Sequence, residues 1–146
     1  MKAAVAATLL VAGVSTAQAT EPTGRLTLAC QGTTTSPTSD NPTPKPVSKG
    51  IIVNFTTRIV QGFGIPGVMI DFPIKITATD DMTVAFSGSA LNQKAVTGSY
   101  DWTFTGTIDR VSGDVAASFR LTKTETMQIF VETNYALKCK ESALLF

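Results

Sequence analysis

A polypeptide of 146 residues with no histidine must draw any chemistry from carboxylates, hydroxyls, lysines or its two cysteines. The missing imidazole removes Ser-His and Cys-His nucleophilic pairs and the usual zinc ligand sets. The only thiols are Cys30 and Cys139. In an oxidising compartment they have one possible connectivity, with each other. A carboxylate-based hydrolase would need Asp71, Asp101 or Glu132 to converge in one cleft. Asp80-Asp81 offers oxygens to a calcium ion, but no spaced acidic series surrounds it, and aspartate at a turn ordinarily bonds its own backbone. Gly62 to Gly67 has the glycine content of a phosphate loop without the Lys-Ser/Thr that completes one. It reads as a loop with Phe63 exposed or tucked under. Asn54-Phe55-Thr56 matches a glycosylation sequon inside a strand pattern, where a glycan has no room. The expectation is therefore no catalytic residue, no metal site and no cofactor.

The residues that remain are aromatic. Tyr100, Trp102 and Phe104 recur at every second position, so in a strand they line one face. They are the candidate ligand-binding set: a row of rings facing a small apolar molecule, or a stacking platform for a sugar. The competing reading is that they simply fill a core.

Such rings need elements to hold them, and the chain begins with a segment that is not one. Lys2, an uncharged run from Ala3 to Val14, and Ala17-Gln18-Ala19 form the pattern of a secretory signal peptide. The apolar run is too short to cross a bilayer permanently, which takes roughly 20 residues. Cleavage is expected after Ala19, making residues 1–19 a leader and 20–146 a single domain, exported to the periplasm or beyond the cell. Leu28-Ala29-Cys30 superficially resembles a lipid-attachment signal, but Glu21, Pro22 and Arg25 separate it from the apolar run. No transmembrane segment is expected once the leader is removed.

Charge excludes two partner classes. The sequence holds 12 basic and 11 acidic residues, and loss of Lys2 leaves 11 of each. A balanced chain with no basic cluster has no electrostatic footprint for nucleic acid or for an anionic membrane.

The mature chain alternates apolar and polar residues in short runs between Gly, Asp, Asn and Ser clusters, the period of half-buried antiparallel strands. Strands are predicted at about 25–31, 51–60, 68–77, 82–87, 100–108, 115–121 and 127–140. Residues 33–49, rich in Thr, Ser and Pro, are expected to form a flexible loop, and 88–99 a second one. Pro73 cannot donate to a ladder and suggests an edge or a bulge. Asp109 to Gly113 reads as a hairpin connection, with Gly113 placed for positive φ.

Phase supports the pairing of the cysteines. Cys30 shares a face with Leu26 and Leu28, and Cys139 with Tyr135 and Leu137, so both point inward. The fold expected is all-β: an antiparallel meander of about 7–8 strands carrying one disulfide. A small barrel is favoured over a two-sheet sandwich because closure removes exposed edges.

Gly106-Thr107-Ile108-Asp109-Arg110-Val111-Ser112-Gly113, Tyr135-Ala136-Leu137-Lys138-Cys139-Lys140 and a terminal Phe146 together resemble a group of short bacterial exported proteins of uncharacterised activity. These share a cysteine near the mature start, an Ile-Asp-Arg-x-Ser/Thr-Gly hairpin and a Tyr-x-Leu-x-Cys ending. The resemblance covers mainly the last third of the chain and implies export, the disulfide and the β fold, but no activity. The functional expectation is a noncatalytic binding domain, its ligand a small apolar molecule in the barrel interior. The alternative is a structural or protein-interaction module of the cell envelope with a packed core.

Overall fold

The computed structural model describes residues 22–64 and 72–142. The expected leader, residues 1–19, lies outside them. Eight strands follow one another without a helix: β1 (Arg25–Thr35), β2 (Lys45–Asn54), β3 (Ile59–Gln61), β4 (Ile74–Thr79), β5 (Thr83–Ala95), β6 (Gly98–Asp109), β7 (Asp114–Lys123) and β8 (Ile129–Glu141). Each pairs antiparallel with the next, and β8 returns to β1, so the meander is a closed barrel. Closure leaves a strand pairing on each side of every strand and blunts the edge problem of a small sheet.

Alternation decides what points where. Leu28, Cys30, Ile51, Val53, Val84, Phe86, Phe104, Ile108, Val115, Phe119, Leu137 and Cys139 are buried inside. Their neighbours Ala29, Thr105, Thr107, Arg120, Lys138 and Lys140 face water. This is the reverse of a lipid-facing barrel, whose outer band is apolar. Among the described residues no helix is long and apolar enough to cross a membrane.

The closing seam is set by eight register pairs from Leu28↔Glu141 to Thr35↔Asn134, with Cys30 directly opposite Cys139. The two cysteines form the expected disulfide, with Cα atoms 4.0 Å apart and 109 positions of sequence between them. Both are buried, as their phase requires.

Several boundaries differ from the sequence reading, each for a local reason. β1 and β2 reach into the stretch expected to be loop, pairing Thr33 with Pro46 and Thr34 with Lys45, which shortens the connection to 36–44. The strand expected at 51–60 is two: a turn at 55–58, with Arg58 at φ +55°, separates β2 from β3. β5 and β6 continue through the expected 88–99 loop to a turn at Val96-Thr97. Leu91 to Thr97 are exposed throughout, so no inward-outward period marks them as strand. The pattern from Val68 to Asp71 lies outside the described residues. Only its continuation is placed, as β4 from Ile74.

The barrel has two ends. One carries the connections 36–44, 96–97 and 124–128 and the segment after β3. The other carries 55–58, 80–82 and 110–113.

Candidate functional site

β6 carries the predicted aromatic row, and its three residues have three different environments. Phe104 is fully buried, with its ring centre 4.9 Å from Phe63 and 6.1 Å from Phe86. Trp102, one pair of residues closer to the 96–97 end, is half-buried and stands edge-on to Phe119 at 6.2 Å. Tyr100 is buried at the rim, where its ring meets Phe130 at 5.5 Å and its hydroxyl shares a 2.8 Å hydrogen bond with Thr97 Oγ1. The row thus runs from the filled interior to the mouth.

Aromatic rings fill the centre of the barrel. Phe63 lies 5.3 Å from Phe86 and 5.8 Å from Tyr135, besides its contact with Phe104. Gly106 makes room for this packing, because a Cβ there would run into the Phe86 ring. Complete burial of such a ring is worth about 1.5 to 3 kcal/mol. The Tyr135 hydroxyl is buried with no hydrogen-bond partner among the described residues. Burial pushes its pKa above the ordinary tyrosine value, so the phenol stays protonated.

The mouth is different in character. Val96 is completely exposed at 106%, Met127 is 72% exposed, Leu91 64%, Phe130 61% and Ile129 41%. A register shift between Leu121 and Thr122 lets one extra residue into β8, placing Phe130 against Tyr100. Met127 takes φ +55° in the turn before it. Thr124 N donates to Ser99 O at 3.0 Å, so the tips of the β5-β6 and β7-β8 hairpins adjoin. Glu132 N donates to Thr38 Oγ1, which brings the 36–44 connection to the same place. Thr38, Thr97, Tyr100, Lys123, Gln128, Ile129 and Phe130 line an open groove between these tips.

The polar candidates turn out to hold structure together. Asp80 Oδ1 accepts from the backbone N–H groups of Met82 and Thr83 at 2.8 and 2.7 Å, an Asx turn. Asp109 Oδ1 does the same for Val111 and Ser112. The bonds from Ser112 and Val111 hold its carboxyl below the ordinary value. Arg110 ties these two turns together, its Nη1 donating to Asp80 O and its backbone N–H to Met82 O. Gly113 and Cys139 lie in contact, Cys139 N donating to Gly113 O at 2.8 Å. The two motifs noted in the sequence therefore meet at this end of the barrel.

Asn54 Oδ1 accepts from Thr57 N and shapes the turn after β2. Asp101 accepts from Asn92 N and the Thr124 hydroxyl. Glu132 pairs with Arg120 at 3.2 Å. Asp71 lies outside the described residues. Among those described, no group of three or more acidic or sulfur side chains is placed to hold a metal ion.

Sequence reasoning left Phe63 undecided between exposed and tucked under, and it is tucked under. It missed the apolar mouth, because Met127 and Ile129 keep the inward parity of β8 until the bulge reverses it. A scan against protein-family models found no match, and neither curated proteins nor solved structures gave one.

Proposed function

We propose that this chain is an exported, noncatalytic interaction module that docks on a protein of the cell envelope through the mouth of the barrel. One observation carries the reading. Of the seven large apolar residues exposed among the described residues, Leu91, Val96, Met127, Ile129 and Phe130 sit at this end, and Met82 and Val111 at the other. Ile129 and Phe130 line the groove there, with Leu91, Val96 and Met127 on the hairpins beside it, and exposed apolar residues gathered at one end suit a contact site. The ring-filled interior agrees with a module that works from its surface. The leader pattern and the disulfide support export, since such bridges persist in oxidising compartments. A chain with no histidine and both thiols in a bridge also lacks the usual nucleophilic pairs.

The test is photo-crosslinking from position 130 in the oxidised mature protein, mixed with envelope extract. A discrete adduct is expected, and it should disappear when the probe at 130 is carried by a Leu91→Ser, Val96→Ser, Met127→Ser variant whose free energy of unfolding is within about 0.5 kcal/mol of the parent. An adduct that forms equally from position 82 or 111, or survives the triple substitution, refutes docking at the mouth.

A second reading, a small molecule held inside the barrel against the row Tyr100, Trp102 and Phe104, is favoured by one feature: the buried Tyr135 hydroxyl with no partner among the described residues.

A further inference from the structure

We propose that the barrel interior binds a small aromatic molecule bearing a hydrogen-bond acceptor, such as an aryl ketone, and that Phe63 occupies this site when the ligand is absent. The inference rests on the second reading above and gives it a ligand class. Phe63 is the one buried aromatic among the described residues that no strand carries. Phe86, Tyr100, Phe104, Phe119 and Tyr135 are all fixed by barrel pairing. Phe63 instead sits between two glycines. Gly62 holds φ +109° and lies so close to Gly50 that a Cβ would meet its carbonyl oxygen. Lys49 Nζ donates to Gly64 O at 2.6 Å, so departure of the ring breaks that exposed bond and the ring contacts but no strand pairing.

Its surroundings specify what can replace it. The Phe63 ring is contacted by Phe104 at 4.9 Å, Phe86 at 5.3 Å and Tyr135 at 5.8 Å, the last edge-on at 72°. A planar aromatic guest inherits these contacts, whereas a branched aliphatic one does not. The guest also has something to gain that Phe63 lacks. Tyr135 Oη is buried and unpartnered among the described residues. A buried hydroxyl in that state carries an unrecovered desolvation cost. The protonated phenol holds both an unmet O–H donor and an acceptor oxygen, and the O–H, the costlier of the two to leave unmet, is relieved by an acceptor or by a water molecule. A carbonyl on the guest supplies that acceptor, and phenylalanine does not.

Competition with an internal ring lowers apparent affinity by the fraction of molecules in which the site is open. The experiment titrates acetophenone and ethylbenzene, which differ mainly in the carbonyl, into isotope-labelled oxidised protein and follows backbone amide shifts. Saturable acetophenone binding is expected, with shifts centred on residues 86, 104 and 135. Phe63→Ala should tighten it about 10- to 100-fold. Tyr135→Phe should weaken acetophenone about 5- to 10-fold and leave ethylbenzene unchanged.

Equal binding of the two probes with no response to Tyr135→Phe overturns the ligand class and leaves the interior-binding reading standing. Absence of saturable binding by the parent protein overturns both, even if Phe63→Ala binds, because any emptied apolar core takes up an aromatic molecule. If Phe63→Ala does not fold, Phe63→Leu replaces it, and the parent and Tyr135→Phe arms decide the matter without it.

Discussion

Replacing both cysteines with alanine tests how far the seam depends on its covalent link. The bridge spans 109 positions, for which the loop-closure model gives about 4 to 5 kcal/mol of stabilisation, exerted on the unfolded chain. Net stabilities of single domains are about 5 to 15 kcal/mol, so the double variant should remain folded but lose a large share of its margin. For a domain of about 120 residues, with an unfolding entropy near 0.25 kcal/mol/K, the loss corresponds to a midpoint about 15 to 20 °C lower. Eight seam pairs remain, so amide spectra of the variant should retain the β1-β8 contacts. Thermal and urea unfolding of the oxidised parent and the Cys30→Ala, Cys139→Ala variant give the comparison, and the urea slope should rise as the unlinked chain exposes more surface. A loss below about 1 kcal/mol with an unchanged slope would refute the reasoning: the two ends would then be close together even in the denatured chain.

Gly113→Ala should destabilise by about 1 to 3 kcal/mol in the same assay, because φ is +76° there and a Cβ would strike Cys139 O. A shift under 0.5 kcal/mol would show that the 110–113 turn adjusts freely. Asp109 has its pKa depressed below 3.8 by the Ser112 and Val111 amides, so its stabilisation is present above the unfolded value and disappears as pH falls through the folded one. Asp109→Asn keeps an acceptor oxygen without titrating, so its stability should vary less with pH below about 3.8, and an identical acid profile would count against the assignment. Tyr135 has its pKa raised above 10.0. Its stabilisation is complete below the unfolded value and lost as pH rises beyond it. Ultraviolet titration should therefore show its phenolate appearing with unfolding, and Tyr135→Phe should remove that step. A Tyr135 phenolate formed in the intact fold would contradict its burial.

The parts of the fold legible in the sequence are those with one dry face. Ile51 and Val53, Val84 and Phe86, and Leu137 and Cys139 sit where alternation puts them, because the same side of each strand faces the core. Where both faces are wet the signal vanishes, and β5 beyond Leu91 looked like loop although it pairs as far as Ala95↔Gly98. Closure itself leaves no mark in the pattern, since sandwich and barrel strands alternate alike. What pointed to first and last strands meeting was the pairing of Cys30 with Cys139, expected from their being the two cysteines of the chain and supported by their inward phase. Of the three candidate site residues, all lie on the face assigned to them, yet they share no single pocket: Phe104 belongs to the interior and Tyr100 to the rim. The role of Phe63 and the isolation of the Tyr135 hydroxyl depend on contacts made across the barrel, which no local window contains.

The meander order also governs how the chain comes together in time. Every pairing but one joins neighbours in sequence, so hairpins can zip up as the polypeptide emerges, yet β1 lacks its second partner until β8 arrives roughly a hundred residues later. Until then a row of unsatisfied amides and carbonyls and one unpaired thiol stand open to foreign strands and foreign sulfur. Joining Cys30 to Cys139, with the two electrons and protons passing to an external oxidant of the compartment, thus requires that β8 be present, and a product truncated before β8 keeps an uncapped β1 edge.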